Sequence, residues 1–251
     1  MVQIASIFKR IRRRLTKIRL QPVRVFCLHH VCEDNNPVVF CEGDWISLDS
    51  FKHTIKTLRS QRYRFISLRE GQRKITTDII RLRKYAILTF DDGYKSSLPA
   101  YSWLEENHIP YTLFINAKYL DGISVSDHIV QHAHTIRPDV ETADIATDLY
   151  LTERDLHSLS IDLSSVGSHG FEHIDATTLS DERFKEQIQR NFNIIQDCCP
   201  NNQIPFHAYT WGRHSDQTDS FLHRSGITPV LIDGAKNYND PSVIHRELLP
   251  I

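Results

Sequence analysis

Short apolar runs alternate along this chain with amphipathic stretches, and the two periods predict two kinds of element. Val23-Arg24-Val25-Phe26-Cys27-Leu28-His29 reads as a first β-strand that ends in a turn at His29-His30-Val31. Residues 33–46 follow as an irregular loop. From Ser50 to Ser60, Phe51, Ile55 and Leu58 share one helical face, and Asp49 or Ser50 can cap that helix. Further strands are expected from Arg64 to Leu68, Tyr85 to Phe90, Tyr111 to Asn116, Leu163 to Gly167, Phe206 to Thr210 and Thr228 to Ile232. Between them, Pro99 to Asn107 and Asp181 to Asp197 read as helices. The second carries Ser180 as its N-cap and turns Phe184, Ile188, Phe192 and Ile195 to the core. Residues 121–157 are only weakly periodic and are expected to form an insertion of short helices at the site. Strands alternating with helices predict parallel βα units, whose working residues gather at the carboxyl ends of the strands.

At 251 residues the chain can fold as one large α/β domain, and no Pro-, Gly- or Ser-rich linker divides it. We read two segments, a basic stretch at 1–20 and a single domain at 21–251. The formal net charge is −1, yet residues 1–20 carry seven Lys and Arg and no acid. The rest of the chain is therefore acidic, which argues against a nucleic-acid partner. Within the basic stretch Ile4, Ile7, Phe8, Ile11, Leu15 and Ile18 recur at helical intervals. Such an amphipathic helix can lie on an anionic membrane surface or pack on the domain; the pattern leaves both open.

Five cysteines, an odd number without a CxxC pair, and no apolar stretch of signal-peptide type lead us to expect the reducing cytoplasm. If the basic helix binds lipid, the protein is peripheral on the inner face of the membrane. No apolar run approaches the ~18 residues of a membrane span.

The candidate chemistry lies in two motifs. Thr89-Phe90-Asp91-Asp92-Gly93 ends an apolar strand, and Ser168-His169-Gly170-Phe171-Glu172-His173 follows another. Two imidazoles and one carboxylate suit a divalent ion such as Zn²⁺ with positions left for water and substrate. The spacing of His169 and His173 is that of one side of a helical turn. Adjacent side chains on a strand diverge, so of Asp91 and Asp92 one can bind metal while the other accepts a proton. Each motif alone is commonplace; together, at two strand ends, they point to metal-assisted hydrolysis.

These two motifs resemble the first two signature motifs of the polysaccharide deacetylase family, also called the NodB-homology family or carbohydrate esterase family 4. The resemblance runs from about Val25 onward. Leu28-His29-His30-Val31 is similar to the family's early Tyr-His-x-Val element, and Phe206-His207-Ala208-Tyr209-Thr210-Trp211-Gly212 to its aromatic-Pro-aromatic-Gly motif. Asp240-Pro241 and His245-Arg246 are similar to the branch acting on cell-surface polysaccharides. The resemblance implies a distorted (β/α)7 barrel that removes N-acetyl groups from an amino sugar, in a surface polysaccharide or its nucleotide- or lipid-linked precursor. It assigns Asp91 as general base, Asp92, His169 and His173 as ligands of a divalent ion, most simply Zn²⁺, and the backbone near Trp211 as oxyanion donor.

Two departures stand out. Thr210 replaces the usual Pro, which removes a fixed φ from that loop, and Ala208 replaces an Arg that orients the aspartate in many members. The family's late Leu-x-His motif, source of the general acid, is missing; His245 is the nearest late candidate, with Arg246 as a partner for Asp91. Two alternatives compete with N-deacetylation: deacylation or deformylation of a lipid-linked sugar, and a carbohydrate-binding barrel without turnover. His128, His132 and His134 suggest a second metal less strongly than they suggest an exposed insertion, and the vicinal Cys198-Cys199 pair reads as two buried or capped thiols.

Overall fold

The computed structural model describes residues 22–33, 45–77, 83–136, 139, 141, 145, 149–237 and 240–250. The expected helix within residues 1–20 lies outside them, as do most of the loop at 33–46 and the side chains of His128 and His132.

Seven parallel strands close into a barrel. They are β1 (Val23–Leu28), β5 (Lys84–Phe90), β6 (Tyr111–Ile115), β7 (Ser164–Ser168), β8 (Gln203–Ala208), β9 (Thr228–Ile232) and β10 (Ile244–Leu248). Neighbours follow that order, and β1 pairs with both β5 and β10 to shut the ring. A short β4 (Tyr63–Phe65) continues the edge of β5 below β6, pairing Tyr63 with Lys84. Outside the barrel, β2 (His30–Cys32) pairs with β3 (Trp45–Ser47).

The helices are α1 (Leu48–Ser60), α2 (Leu68–Thr77), α3 (Leu98–Glu106), α4 (Asp127–Ile136), α5 (Glu153–Ser158), α6 (Asp181–Cys198) and α7 (Asp216–Arg224). Helix α1 starts earlier than its apolar period suggests, because Ser47 rather than Asp49 or Ser50 accepts the Ser50 N–H, at 3.1 Å. Ser180 caps α6 as expected. The strand expected from Arg64 to Leu68 stops at Phe65, and Leu68 opens α2, a helix the sequence reading did not anticipate. Helix α7 and strand β10 were not anticipated either, and β8 starts three residues before the expected Phe206 and ends at Ala208 rather than Thr210.

Alternation along the strands makes two cores. Val25, Ile87, Phe114, Phe206 and Ile244 fill the barrel interior, while Phe26, Leu88 and Phe90 face outward to α1 and α3. Gly167 faces Phe114: a Cβ there would stand 2.6 Å from the ring. The amino-terminal end of the barrel is plugged by α2. Gly71 comes so close to Ile87 that an added Cβ would clash. Arg69 and Gln72 of α2 donate to Gln203 O and Thr228 Oγ1, the first residues of β8 and β9, at 3.1 and 2.9 Å. The insertion supplies α4 and α5 and a small separate core, in which Ile129, Ala133, Ile145 and Leu149 gather around Tyr94, Tyr119 and Tyr150. Its link to the barrel is tight, since Leu151 N–H donates to Gly93 O at 2.8 Å.

Candidate active site

Asp91 and Asp92 leave the end of β5 in different directions, though not for the reason strand alternation gives. Asp91 N–H still pairs with Leu28 O at 2.9 Å, but Asp92 is already off the strand with φ 68°, and Gly93 follows at φ 73°. Two successive left-handed residues reverse the chain; the first of them is not glycine, a conformation that costs of order 1–2 kcal/mol. Asp91 thereby keeps its side chain over the barrel interior, and Asp92 is thrown toward the end of β7.

His169 and His173 await it there. They do not share a helical turn, as their spacing suggests: His169 directly follows β7, Gly170 takes φ 85°, and His173 returns on an irregular loop. Asp92 Oδ1 lies 3.3 Å from His169 Nε2 and 3.1 Å from His173 Nε2. All three groups are inaccessible or nearly so. His169 Nδ1 donates to Ala208 O at 2.8 Å, which fixes the tautomer and leaves the Nε2 lone pair facing Asp92. Burial opposes the charge on Asp92, but His173 and His169 more than offset it and hold the carboxyl well below the ordinary carboxylate range. Burial likewise works against protonation of His169, and Asp91 and Asp92 outweigh it, so that its pKa is raised.

A divalent ion fits these residues. Asp92 Oδ1 is buried and carries no hydrogen bond, and the three ligand atoms lie within 4.8 Å of one another. Two neutral imidazole nitrogens and a carboxylate are a donor set for a borderline divalent cation.

Asp91 is held by a different partner. Arg246 reaches across the barrel from β10 and donates from both terminal nitrogens, NH1 to Oδ1 at 2.6 Å and NH2 to Oδ2 at 2.7 Å. The same guanidinium donates to Thr89 Oγ1 at 3.1 Å and lies over the Phe114 ring. Although burial alone would push the Asp91 carboxyl up, Arg246 and His169 bring it below its ordinary value. The arginine missing at position 208 is therefore supplied two strands away. Ala208 is fully buried in the barrel interior.

A polar layer behind the motifs sets the His169 loop. Asn116, at the end of β6, donates to His169 O and Gly170 O at 2.7 and 3.0 Å. Asn191 of α6 donates to Ile115 O and Ser168 Oγ and accepts the Ala117 N–H. Glu172 is clamped by Lys118, Arg183 and Gln187. Burial pushes His207 down to about 3, so it is a neutral partner for Ser168 Oγ at 3.1 Å. None of these supports was singled out from sequence. The available signals were Asn191, a polar residue among the apolar positions of the buried face of α6, and Asn116, closing a strand that is buried throughout.

Trp211 sits at a turn with φ 52°, half-exposed, with its ring edge-on to His173 at 4.7 Å between centroids. Thr210 does not leave its loop slack: it is buried, and its hydroxyl donates to His169 O at 3.3 Å. His245, in contrast, is not brought to this cluster. It neighbours Arg246 on β10 and so points the other way, where Nδ1 meets Asp233 Oδ2 at 2.8 Å. The group that does approach Asp91 is His29. A ring nitrogen of His29, Cys27 Sγ and an Asp91 oxygen lie within 4.8 Å of one another. Cys27, Cys32, Cys198 and Cys199 are buried free thiols.

No curated protein matches the chain in sequence. Among solved structures it resembles the Streptococcus pyogenes deacetylase PplD, solved in complex with acetate, with TM-score 0.72 and 17% identity over 92% of this chain and 94% of that one. IcaB from Ammonifex degensii matches with TM-score 0.68 and 20% identity over 92% and 94% of the two chains. The BpsB deacetylase domain from Bordetella bronchiseptica gives 0.65 and 17% over 90% and 95%. At these identities the likeness is one of fold, the (β/α)7 barrel. The polysaccharide deacetylase family model matches residues 80–230, three-fifths of the sequence and both aspartate and histidine motifs. The chain therefore belongs to the polysaccharide deacetylase family, hydrolases of carbon–nitrogen bonds outside peptides.

Proposed function

We propose that this protein is a metal-dependent de-N-acetylase acting on an amino sugar of a surface polysaccharide or of its nucleotide- or lipid-linked precursor. The observation that carries the reading is the pairing of two separately held carboxylates at one strand end: Asp92 faces two imidazoles, and Asp91 faces an arginine. Asp92, His169 and His173 would hold the ion, most simply Zn²⁺, which when bound supplies Lewis acidity toward water and the acetamide carbonyl.

The protein's own groups do the remaining work. Asp91, kept ionised by Arg246, is the base that takes a proton from the attacking water. Leaving the carbon requires the amine nitrogen to gain a proton, and His29 is better placed to give it than His245, because it stands beside Asp91 while His245 is held by Asp233. The strained turn at Trp211 packs on His173, and the backbone at Trp211 would supply the oxyanion donor. The free cysteines support a reducing, cytoplasmic compartment. Among the described residues no helix is long and apolar enough to cross a membrane.

The test combines metal content with product release. The purified protein should hold about one divalent ion per chain and release acetate from N-acetylated sugars, and His169→Ala and His173→Ala should each strip the ion and the activity. Full occupancy in both variants would remove these histidines from the ligand set. Release of formate or a longer acid instead of acetate would favour the lipid-linked deacylase. Tight sugar binding without any release would identify a binding barrel.

A further inference from the structure

Asp92 sits in a backbone conformation that its own turn does little to hold. Gly93 N–H donates to Asp91 O at 2.9 Å across Asp92, whose φ is 68°. A three-residue turn with positive φ at its centre is the rare and strained form. Such a conformation persists only where its surroundings over-determine it.

The surroundings that do so come from the returning end of the insertion. Leu151 N–H donates to Gly93 O at 2.8 Å, and Tyr150 forms an antiparallel bridge with Tyr94. Directly after Leu151, Thr152 caps α5 in a reciprocal capping box with Asp155, which fixes the backbone that presents that N–H. The side chains then form a row. The Tyr94 ring stacks on His30 of β2, with centroids 3.7 Å apart and planes 15° from parallel, and on Tyr150 at 5.5 Å and 19°. Tyr150 stacks in turn on Tyr119, at 4.6 Å and 15°. All four rings are buried, and each comes from a different segment of the chain.

The row continues to the histidines. Tyr119 lies on the short helical turn Ala117–Asp121 that follows β6. Its neighbour Lys118 donates from its backbone to Phe171 O at 3.3 Å and from Nζ to Glu172 Oε1 at 2.9 Å, inside the loop between His169 and His173. One end of the row thus holds the turn that carries Asp92, and the other holds the loop that carries His173. A divalent ion tolerates only about ±0.2 Å in its ligand distances, so a support that sets both sides of the gap sets affinity.

We propose that Tyr94 and Tyr150 are positioning residues for Asp92, and that the insertion acts through them as a clamp on the bound ion. The proposal rests on the reading of Asp92, His169 and His173 as the ligand set. It requires no tyrosine to coordinate, because the effect passes through the backbone at Gly93. A tyrosine that merely filled the insertion's core would change stability and leave the ion's affinity as it is.

The experiment loads the full chain with Zn²⁺ and follows transfer of the ion to a chromogenic chelator, with urea unfolding of the same samples alongside. Tyr150→Leu, which removes the ring and keeps much of the volume, should weaken zinc binding about tenfold, since one strained residue freed of its restraint is worth about that factor. Tyr150→Phe keeps the ring, removes the hydroxyl that meets Ser126 Oγ at 3.4 Å, and should bind as the parent does. Ile55→Ala, in the core against α1 and outside the row, should lose stability yet hold zinc as tightly as the parent. If Tyr150→Leu does not fold, Tyr119→Leu replaces it, with a smaller loss in the same direction. Unchanged zinc affinity in the folded variant that lacks the ring overturns the proposal and leaves the ligand set standing. So does a loss as large in Tyr150→Phe or Ile55→Ala. A parent chain that takes up no zinc overturns the ligand set, and the proposal falls with it.

Discussion

Replacing Arg246 by Leu should invert the way stability depends on pH. In the parent the Asp91 carboxyl titrates below its ordinary value because Arg246 more than compensates for burial. A carboxyl depressed in the folded state stabilises the fold above its unfolded pKa, near 3.8, and that contribution is lost as pH falls through the lower folded value. The guanidinium bonds both carboxylate oxygens, at 2.6 and 2.7 Å. With charge centres roughly 4 Å apart and an effective dielectric constant near 20, the attraction is about 4 kcal/mol. At about 1.4 kcal/mol per pKa unit, its removal lifts the Asp91 pKa by some 2–3 units. Burial is then opposed only by His169 and His29, and the sign reverses: the folded pKa rises above the unfolded one, so stability is fully present below pH ~4 and declines as pH rises through the new value. Loss of one member of a buried pair costs about 3–5 kcal/mol where the other stays ionised. Urea denaturation of Arg246→Leu should therefore show a protein weakest at pH 7 and relatively recovered near pH 5. The acid limb of its kcat/KM profile should move upward by the same 2–3 units, with Arg246→Lys intermediate. An acid limb unchanged in both variants would refute the claim that Arg246 keeps the base ionised.

Three further substitutions probe the division of labour at the mouth. Asp91→Asn should keep its metal and lose about 10²-fold or more in turnover, while Asp92→Asn should lose the metal first; metal analysis giving the reverse pattern would exchange the two roles. Thr210→Val, which removes the hydroxyl on His169 O while keeping the volume, should cost about 1 kcal/mol in unfolding free energy and loosen metal retention, and an unaltered metal off-rate would mean that the hydrogen bond does not set the His169 loop.

The strands whose side chains are apolar on both faces were legible in the sequence, because a parallel strand buried on two sides leaves a continuous run: Tyr111–Ile115 is buried throughout, and its bounds fell within one residue of expectation. Strand β10 escaped because its alternate positions are His245 and Glu247, and its one charged inward residue, Arg246, gives it no apolar period. Helix α2 escaped for a related reason. It plugs the barrel with few apolar residues, Leu68 and Ile75, and lets Gly71 approach the strands, so its helical stripe is thin. At the site, the ligand types and their pairing were visible as motifs, yet the conformation joining them was not. The HxxxH spacing suggested a helical turn, and Gly170 at φ 85° makes a loop instead. Likewise the role of Arg246 depends on a partner 155 residues away, which only barrel closure supplies.

That separation gives the barrel seam a meaning for folding. Strand β1 pairs on one side with β5, which ends at the aspartates, and on the other with β10, which carries the arginine. Until β10 docks, Asp91 would be a charge entering an apolar interior without a counter-ion, and the chain gains by leaving it in water. Closing the ring and arming the base are thus one event, made late because its contacts span most of the sequence. An open, partly folded barrel already has Asp92 and the two histidines at the ends of β5 and β7, on either side of β6, but no stabilised base, so on the proposed reading metal capture can precede competence. Hydrolysis begins only when the circle is complete.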